Sequence, residues 1–300
     1  MHEPAQIVAL VATRFRTDLL SRLLGSLQSQ TLLPVAVVIT DNGPDPATER
    51  LPGSSSLPLE LVSPGKNLGF GGGLALAGER ALRKFPGLTH FLVVDDDAIL
   101  SPGDLQSLLD SSKKYQAGTI APFLTDAAGK LQEAPEPVRW SLARSFRKAG
   151  TNLEKARSLA PSGYSMAWCL GPCVLIRKDT WLRAGPPRSD MLAYGDDVEF
   201  SLRLSASDPA WAEPSVAVTH APPPSQLSMS AESAFHQRKF GMLLQNLAFT
   251  CVVSPRPRHL PLYLPGNALR FLRTFGFSPS NILEVMRCYA LGFLGVPAGR

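Results

Sequence analysis

Three consecutive carboxylates, Asp95-Asp96-Asp97, follow directly on the apolar run Phe91–Val94. Like charges at the end of a buried strand repel one another unless something positive lies among them. Hard oxygen ligands suit Mg²⁺ or Mn²⁺, ions that usually also bind substrate phosphates. The bland alternative is a solvated acidic turn, and the apolar residues on both sides, including Ala98-Ile99-Leu100, count against it. A second acidic group, Gly195-Asp196-Asp197-Val198-Glu199-Phe200, stands much later in the chain. Alone it reads equally well as a helix start with acids on its first turn. Paired with the first cluster it suggests a division of labour, one group holding a metal while the other takes a proton from a hydroxyl. His220 ends a short apolar stretch; a lone histidine is usually ordinary, yet its imidazole is a reasonable further metal ligand.

Asn67-Leu68-Gly69-Phe70-Gly71-Gly72-Gly73 opens a helix, so its backbone N–H groups are expected to approach an anion or a sugar. Leu74 occupies the third glycine position of a dinucleotide fingerprint, which makes that reading weak.

The elements that must position these residues follow from periodicity. Gln6–Thr13, Val35–Thr40, Leu59–Val62 and Phe91–Val94 read as buried strands, separated by helical segments at Leu19–Gln30, with Asp18 as its cap, and Leu74–Lys84. Strand and helix alternate, with polar residues at the strands' carboxyl ends. That is the pattern of a doubly wound α/β sheet, whose ligands lie outside those ends. Residues 129–161, polar and rich in Arg, Ser and Pro, read as a mobile insertion. Trp168–Arg177 reads as one buried strand, Asp179–Arg183 and Asp196–Leu204 as helices, and Ser215–Thr219 as a short strand.

The chain has 300 residues, 44% hydrophobic and 18% charged, enough for one large domain with an appendage and a proper core. Its four cysteines, Cys169, Cys173, Cys251 and Cys288, show no paired metal spacing and read as reduced and structural. The N-terminus lacks the features of a signal peptide and no run is long and apolar enough to span a bilayer, so a cytoplasmic protein is expected. From Phe235 to Arg300, eight Lys/Arg face Glu284 alone. There Phe271, Leu272, Phe275, Phe277, Leu283, Met286 and Phe293 alternate with Arg270, Arg273 and Arg287. This pattern suits an amphipathic surface on anionic lipid, and equally helices that pack on the catalytic domain or form a homo-oligomer. Sparse positive charge set among apolar runs argues against nucleic acid.

Taken in order, these motifs give a resemblance. The chain resembles the family-2 inverting glycosyltransferases of the GT-A fold, particularly the bacterial galactofuranosyl- and rhamnosyltransferases. Val8–Arg16 with Leu19-Leu20 matches the opening strand and T-x-N-R-x-x-L-L turn. Leu27–Thr31 matches L-x-x-Q-T, Asp41-Asn42-Gly43 matches D-N-x-S, and Asn67–Gly73 matches N-x-G-x-x-G-G. Asp95–Asp97 match the metal motif and Gly195–Phe200 resembles W-D-D-A-E-Y. The likeness covers roughly residues 5–220.

The resemblance implies a mixed, mostly parallel sheet flanked by helices, with a GT-A catalytic domain over 1–233 and a helical extension over 234–300. It implies that Thr13 and Asp41 line the nucleotide pocket, with Arg16, Asn67 and Gly71 also on the substrate side. Asp95, Asp97 and His220 would hold Mn²⁺ or Mg²⁺, and Asp96 would sit near the sugar or ribose. Asp197 would be the general base, with Asp196 and Glu199 orienting sugar hydroxyls. The implied donor is a UDP- or dTDP-sugar, and the implied acceptor a glycan or lipid-linked sugar in cell-wall or polysaccharide synthesis. Departures are Phe15 for Asn, Pro44 for Ser, and Gly195 for the Trp that would stack on an acceptor. Gln245-Asn246 matches a later Tyr-Tyr-x-x-Arg-Asn motif only weakly. Two other readings share the architecture. A nucleotidyltransferase would need a Gly-rich loop where Thr13-Arg14-Phe15-Arg16 stands, and a degenerate sugar- or nucleotide-binding module would not need the retained acids.

Overall fold

The computed structural model describes residues 4–53, 55–192, 194–221 and 234–299. Its strands are β1 (Ile7–Thr13), β2 (Ala36–Asp41), β3 (Leu59–Val62), β4 (His90–Val94), β5 (Ala98–Ile99), β6 (Thr119–Thr125), β7 (Leu131–Glu133), β8 (Glu136–Pro137), β9 (Tyr164–Trp168), β10 (Cys173–Arg177) and β11 (Ala210–His220). They join in the order β3-β2-β1-β4-β10-β6-β11-β9-β8, with β5 on β11 and β7 on β6. The β3-β2-β1-β4 half is parallel; β10 enters antiparallel between β4 and β6. This is the mixed, mostly parallel sheet flanked by helices that the sequence implies.

The first strands are apolar throughout because both faces are covered. Val8 and Leu10 point into one core with Leu74, Ala77 and Phe91, while Ile7, Ala9 and Val11 point into the other with Leu20, Leu23 and Leu27. Each such fully buried large side chain contributes about 1.5–3 kcal/mol relative to exposure. The α1-type segment after β1 runs over Thr17–Gln28 and begins at Arg16 with no side-chain cap, so Asp18 lies in its first turn and does not cap it.

Three expectations are corrected. Residues 129–161 are not a loose insertion: they supply β7, β8 and the helices Trp140–Ala149 and Leu153–Leu159, and bury Phe146, Ala149 and Ala156 in the core. Trp168–Arg177 is not one strand, since Cys169–Pro172 turns the chain between β9 and β10. The helix after β3 does not start at Leu74: it begins at Gly69, inside the Gly-rich segment, and runs to Lys84.

The 234–299 region packs on the sheet domain. Leu247 of the Ala234–Val253 helix joins Val198 and Leu202 of the Asp196–Ser207 helix in one apolar cluster, with Leu260 and Leu264. A second cluster, Phe240, Leu244, Phe271, Val285 and Cys288, holds the helices Ala234–Val253, Leu264–Phe275 and Pro279–Phe293 together. Among the described residues no helix is long and apolar enough to cross a membrane.

Candidate active site

The site forms where β1, β2 and β4 end. Parallel register pairs Thr13 with Asp41 and Leu10 with Val93, so Thr13 reaches the aspartates that follow β4. Thr13 Oγ1 donates to Asp96 Oδ2 at 2.8 Å. Arg16 Nη1 lies 2.8 Å from Asp96 Oδ1 and 3.5 Å from Asp97 Oδ2. Part of the positive charge that the cluster needs is therefore the protein's own. Burial still raises the Asp96 carboxyl above its ordinary value, with Arg16 opposing.

What Arg16 and Thr13 leave over is specific. Asp95 Oδ1 and Asp97 Oδ1 are buried oxygens with no hydrogen-bond partner among the described residues. His220 Nε2 stands 3.3 Å from Asp97 Oδ1, and the ligand atoms of Asp95, Asp97 and His220 all lie within 4.8 Å of one another. His220 is brought there by β11, whose last residues pair with β5 immediately after the aspartates. Its Nδ1 is 3.0 Å from Gln132 Oε1, and Gln132 Nε2 donates to the His220 carbonyl at 3.0 Å. If Nδ1 donates its proton to Gln132, the Nε2 lone pair is left facing the carboxylates, the arrangement by which an outer partner orients a metal-binding imidazole. Burial first, and then the charges of Asp97, Asp96 and Asp197, push the Asp95 carboxyl well above its ordinary range. A divalent cation would reverse that cost, so these residues fit one.

The second acidic group starts the Asp196–Ser207 helix, with Gly195 as its cap at φ +87°, a backbone conformation that favours glycine over tryptophan. The exposed aromatic here is Tyr194, under the ammonium of Lys239. Asp196, 4% exposed, accepts the Gly71 N–H at 3.0 Å. Asp197 is half-buried and accepts N–H groups from Gly171 and Val198. Burial raises both carboxyls.

Three expected contacts land differently. The Gly-rich segment does not offer a row of free N–H groups: Leu68, Gly69 and Gly71 donate to Asn42, Asn67 and Asp196. Its glycines serve close approach instead, since a Cβ on Gly71 would come within 2.5 Å of the Arg188 carbonyl. Asp41 is spent on its own turn, accepting from the Gly43 and Asp45 N–H groups, and Asn42 reaches the cleft in its place. Glu199, 1% exposed, is held two-pronged by Arg203, whose guanidinium also ties down the carbonyls of Ala184 and Pro186. Both its oxygens are thus taken by Arg203, which ties it to the site's wall.

A cleft of about 980 Å³ opens beside the aspartates. Thr13, Arg16, Asn67 and Asp96 line one side; Arg238, Lys239, Gln245 and Arg287 of the C-terminal helices line the other. Sequence reasoning missed that second wall, and it missed Gln132 and Glu133. Burial, followed by the charge of Asp197, drives the Glu133 carboxyl well above its usual range. Both lie in the segment read as an insertion, where the composition gives no sign of them.

Residues 9–167 match the family described as Glycosyl transferase family 2. The chain belongs to that family. Among its curated relatives, N-acetylglucosaminyl-diphospho-decaprenol L-rhamnosyltransferase of Mycobacterium tuberculosis is 28% identical over 206 residues, 62% of this chain and 66% of that one. Galactofuranosyltransferase GlfT1 of the same species is 30% identical over 205 residues, 67% of this chain and 65% of that one. The match thus spans just under two-thirds of each relative. Among solved structures, S. aureus TarS 1-349 superposes with a TM-score of 0.63 at 14% identity, covering 97% of this chain and 81% of that one. Mannosyltransferase PcManGT from Pyrobaculum calidifontis, solved with GDP-Man and Mn²⁺, gives 0.59 at 18% identity, covering 98% and 76%. The architecture of this family-2 chain is accordingly the GT-A fold, and the superpositions extend over its C-terminal helices.

Proposed function

We propose that this chain is a metal-assisted, inverting glycosyltransferase that moves a sugar from a nucleotide-diphosphate donor to a hydroxyl of a glycan or lipid-linked acceptor. The observation that carries the reading is the pair of buried oxygens on Asp95 and Asp97 that lack a hydrogen bond and lie beside the oriented imidazole of His220. Mn²⁺ or Mg²⁺ held by these three would offset charge on the leaving diphosphate.

The protein's own residues do the rest. Thr13 and Arg16 fix Asp96, which in this reading meets the donor's sugar or ribose, and Asn67 lines the same cleft on the substrate side. Asp197 accepts the proton of the acceptor hydroxyl as that oxygen bonds to the anomeric carbon. The bond from that carbon to the diphosphate oxygen breaks in the same displacement. One displacement inverts the centre and requires no enzyme nucleophile. Asp196, tied to Gly71, sets the distance between the donor helix and the base.

Residues 1–233 form the catalytic unit in this reading and 234–300 an extension. The exposed Phe277, Leu283, Met286, Phe293 and Leu294 of that extension suit a peripheral seat on an anionic cytoplasmic membrane face. The relative named for a diphospho-decaprenol substrate supports a lipid-linked acceptor, a neighbour solved with UDP-GlcNAc is in keeping with a UDP-sugar donor, and a dTDP-sugar is the alternative that the sequence resemblance implies.

The test is a thermal-shift panel of nucleotide diphosphates and nucleotide-sugars with and without Mn²⁺, followed by transfer assays on the donor it selects. Metal-dependent stabilisation by one donor and metal-dependent transfer are expected. Stabilisation that ignores the metal, or binding without any transfer or donor hydrolysis, would overturn the reading.

A further inference from the structure

We propose that Asn246 is a positioning residue for the general base, fastening the loop that carries Asp196 and Asp197 to the Val296–Gly299 segment. The inference rests on the assignment of Asp197 as that base. Asn246 is fully buried on the Ala234–Val253 helix, and its amide works in two directions. Nδ2 donates to the carbonyl of Tyr194 at 2.9 Å, and Oδ1 accepts the N–H of Ala298 at 2.7 Å. Both targets are backbone groups, one directly before Gly195-Asp196-Asp197 and the other far along the chain. The Leu192 N–H closes the circuit on the Ala298 carbonyl at 3.3 Å, and Gln245 Nε2 holds the Val296 carbonyl at 3.0 Å.

The loop has reason to need a fastener. Tyr194 at φ +61° and Gly195 at φ +87° are successive left-handed residues, a conformation that persists where its surroundings over-determine it. The next residues begin the Asp196–Ser207 helix, and the Asp197 carboxylate takes its direction from the Gly171 and Val198 N–H groups. A loop released at Tyr194 would carry Asp197 away from those donors. The helix bearing Asn246 is a firm support, because the neighbouring Leu247 packs on Val198 and Leu202 of the helix that Asp197 begins. Only an amide serves here: an aspartate loses the donor, an alanine loses both bonds. Asn246 touches no reacting group in this scheme and acts through the backbone that aims Asp197.

Three variants of the full chain test this. Asn246→Ala removes both bonds, Asn246→Asp keeps only the acceptor, and Ala298→Pro deletes the N–H bonded to Oδ1 while leaving Asn246 and its helix intact. Hydrogen exchange is read on peptides covering 191–198 and 294–299, binding on UDP with Mn²⁺, and turnover on whichever of UDP-galactofuranose and dTDP-rhamnose the panel selects. Asn246→Ala should speed exchange in both peptides and lower kcat by about tenfold or more while UDP–Mn²⁺ binding stays within about threefold. Asn246→Asp should loosen 191–198 more than 294–299, and Ala298→Pro the reverse, each lowering kcat with the melting temperature kept. Unchanged exchange in 191–198 in all three, or unchanged kcat in all three, overturns the proposal. Ala298→Pro decides the matter if Asn246→Ala does not fold, since its kcat then either falls or does not. An inactive Asp197→Asn beside fully active Asn246 and Ala298 variants removes this inference alone. A fully active Asp197→Asn removes the base assignment itself.

Discussion

The N–H of Gly71 donates to the Asp196 carboxylate at 3.0 Å across 125 residues of sequence. One hydrogen bond thus joins the Gly-rich start of the Gly69–Lys84 helix to the acidic start of the Asp196–Ser207 helix. A methyl group on Gly71 would press on the Arg188 carbonyl and come within 3.3 Å of Asp196 Oδ2. Gly71→Ala is expected to destabilise the fold by about 1–3 kcal/mol, as overpacking does. It should also reduce transfer beyond what the lost stability explains, read as kcat well below the melting transition.

Asp197→Asn should lower kcat by roughly 10²–10⁴-fold, the usual weight of a positioned base, with donor affinity little changed. The base must be ionised to accept a proton, and burial raises its carboxyl above the ordinary 3.8. Activity should therefore fall as the solution is acidified through a value above 3.8. An acid limb in kcat at or below the free carboxylate value contradicts the buried environment.

Gln132 fixes the ring of His220 without being a metal ligand itself. Gln132→Leu is expected to weaken Mn²⁺ binding by roughly 10–100-fold, the range typical of lost outer partners. His220→Gln and Asp97→Asn should weaken it further. Calorimetric titration of Mn²⁺ with UDP present measures all three, and chelator should abolish transfer by the parent protein.

Much of this was legible because strands announce themselves by composition. Ile7–Thr13 and His90–Val94 are apolar on both faces, and the acids that follow them lie where parallel strands end. Asp95, Asp97 and His220 were readable for that reason. Gln132 and Asn246 were not, because each works through a backbone carbonyl or a ring orientation set by tertiary packing, which leaves no spacing in the sequence. The partner of Glu199 was illegible for a related cause. That glutamate's position among acids looked functional, and only the fold reveals Arg203 one turn later taking both its oxygens.

That pair has its own consequence for stability. Arg203→Ala strands a buried carboxylate and the carbonyls around residues 184–186, and should cost about 3–5 kcal/mol. The double variant Glu199→Gln, Arg203→Met should recover much of the loss. Chemical denaturation of the three proteins reads this directly, and equal losses in the single and double variants would contradict it.

His90 gives a separate acid signature. Burial first, then the charges of Arg177 and Lys113, lower its imidazole from 6.5 to about 4. The folded form thus favours neutral His90, so its contribution is complete above 6.5 and is lost as the pH falls towards about 4. The melting temperature should decline across that window, and His90→Gln should flatten the decline.

The circuit from Tyr194 through Asn246 to Ala298 also orders events during synthesis. A ribosome makes the parallel half of the sheet and the Asp197 helix long before it makes Val296–Gly299. A nascent chain can therefore have its parallel strands folded while the loop ahead of Asp197 still lacks its backbone partners at Val296–Gly299.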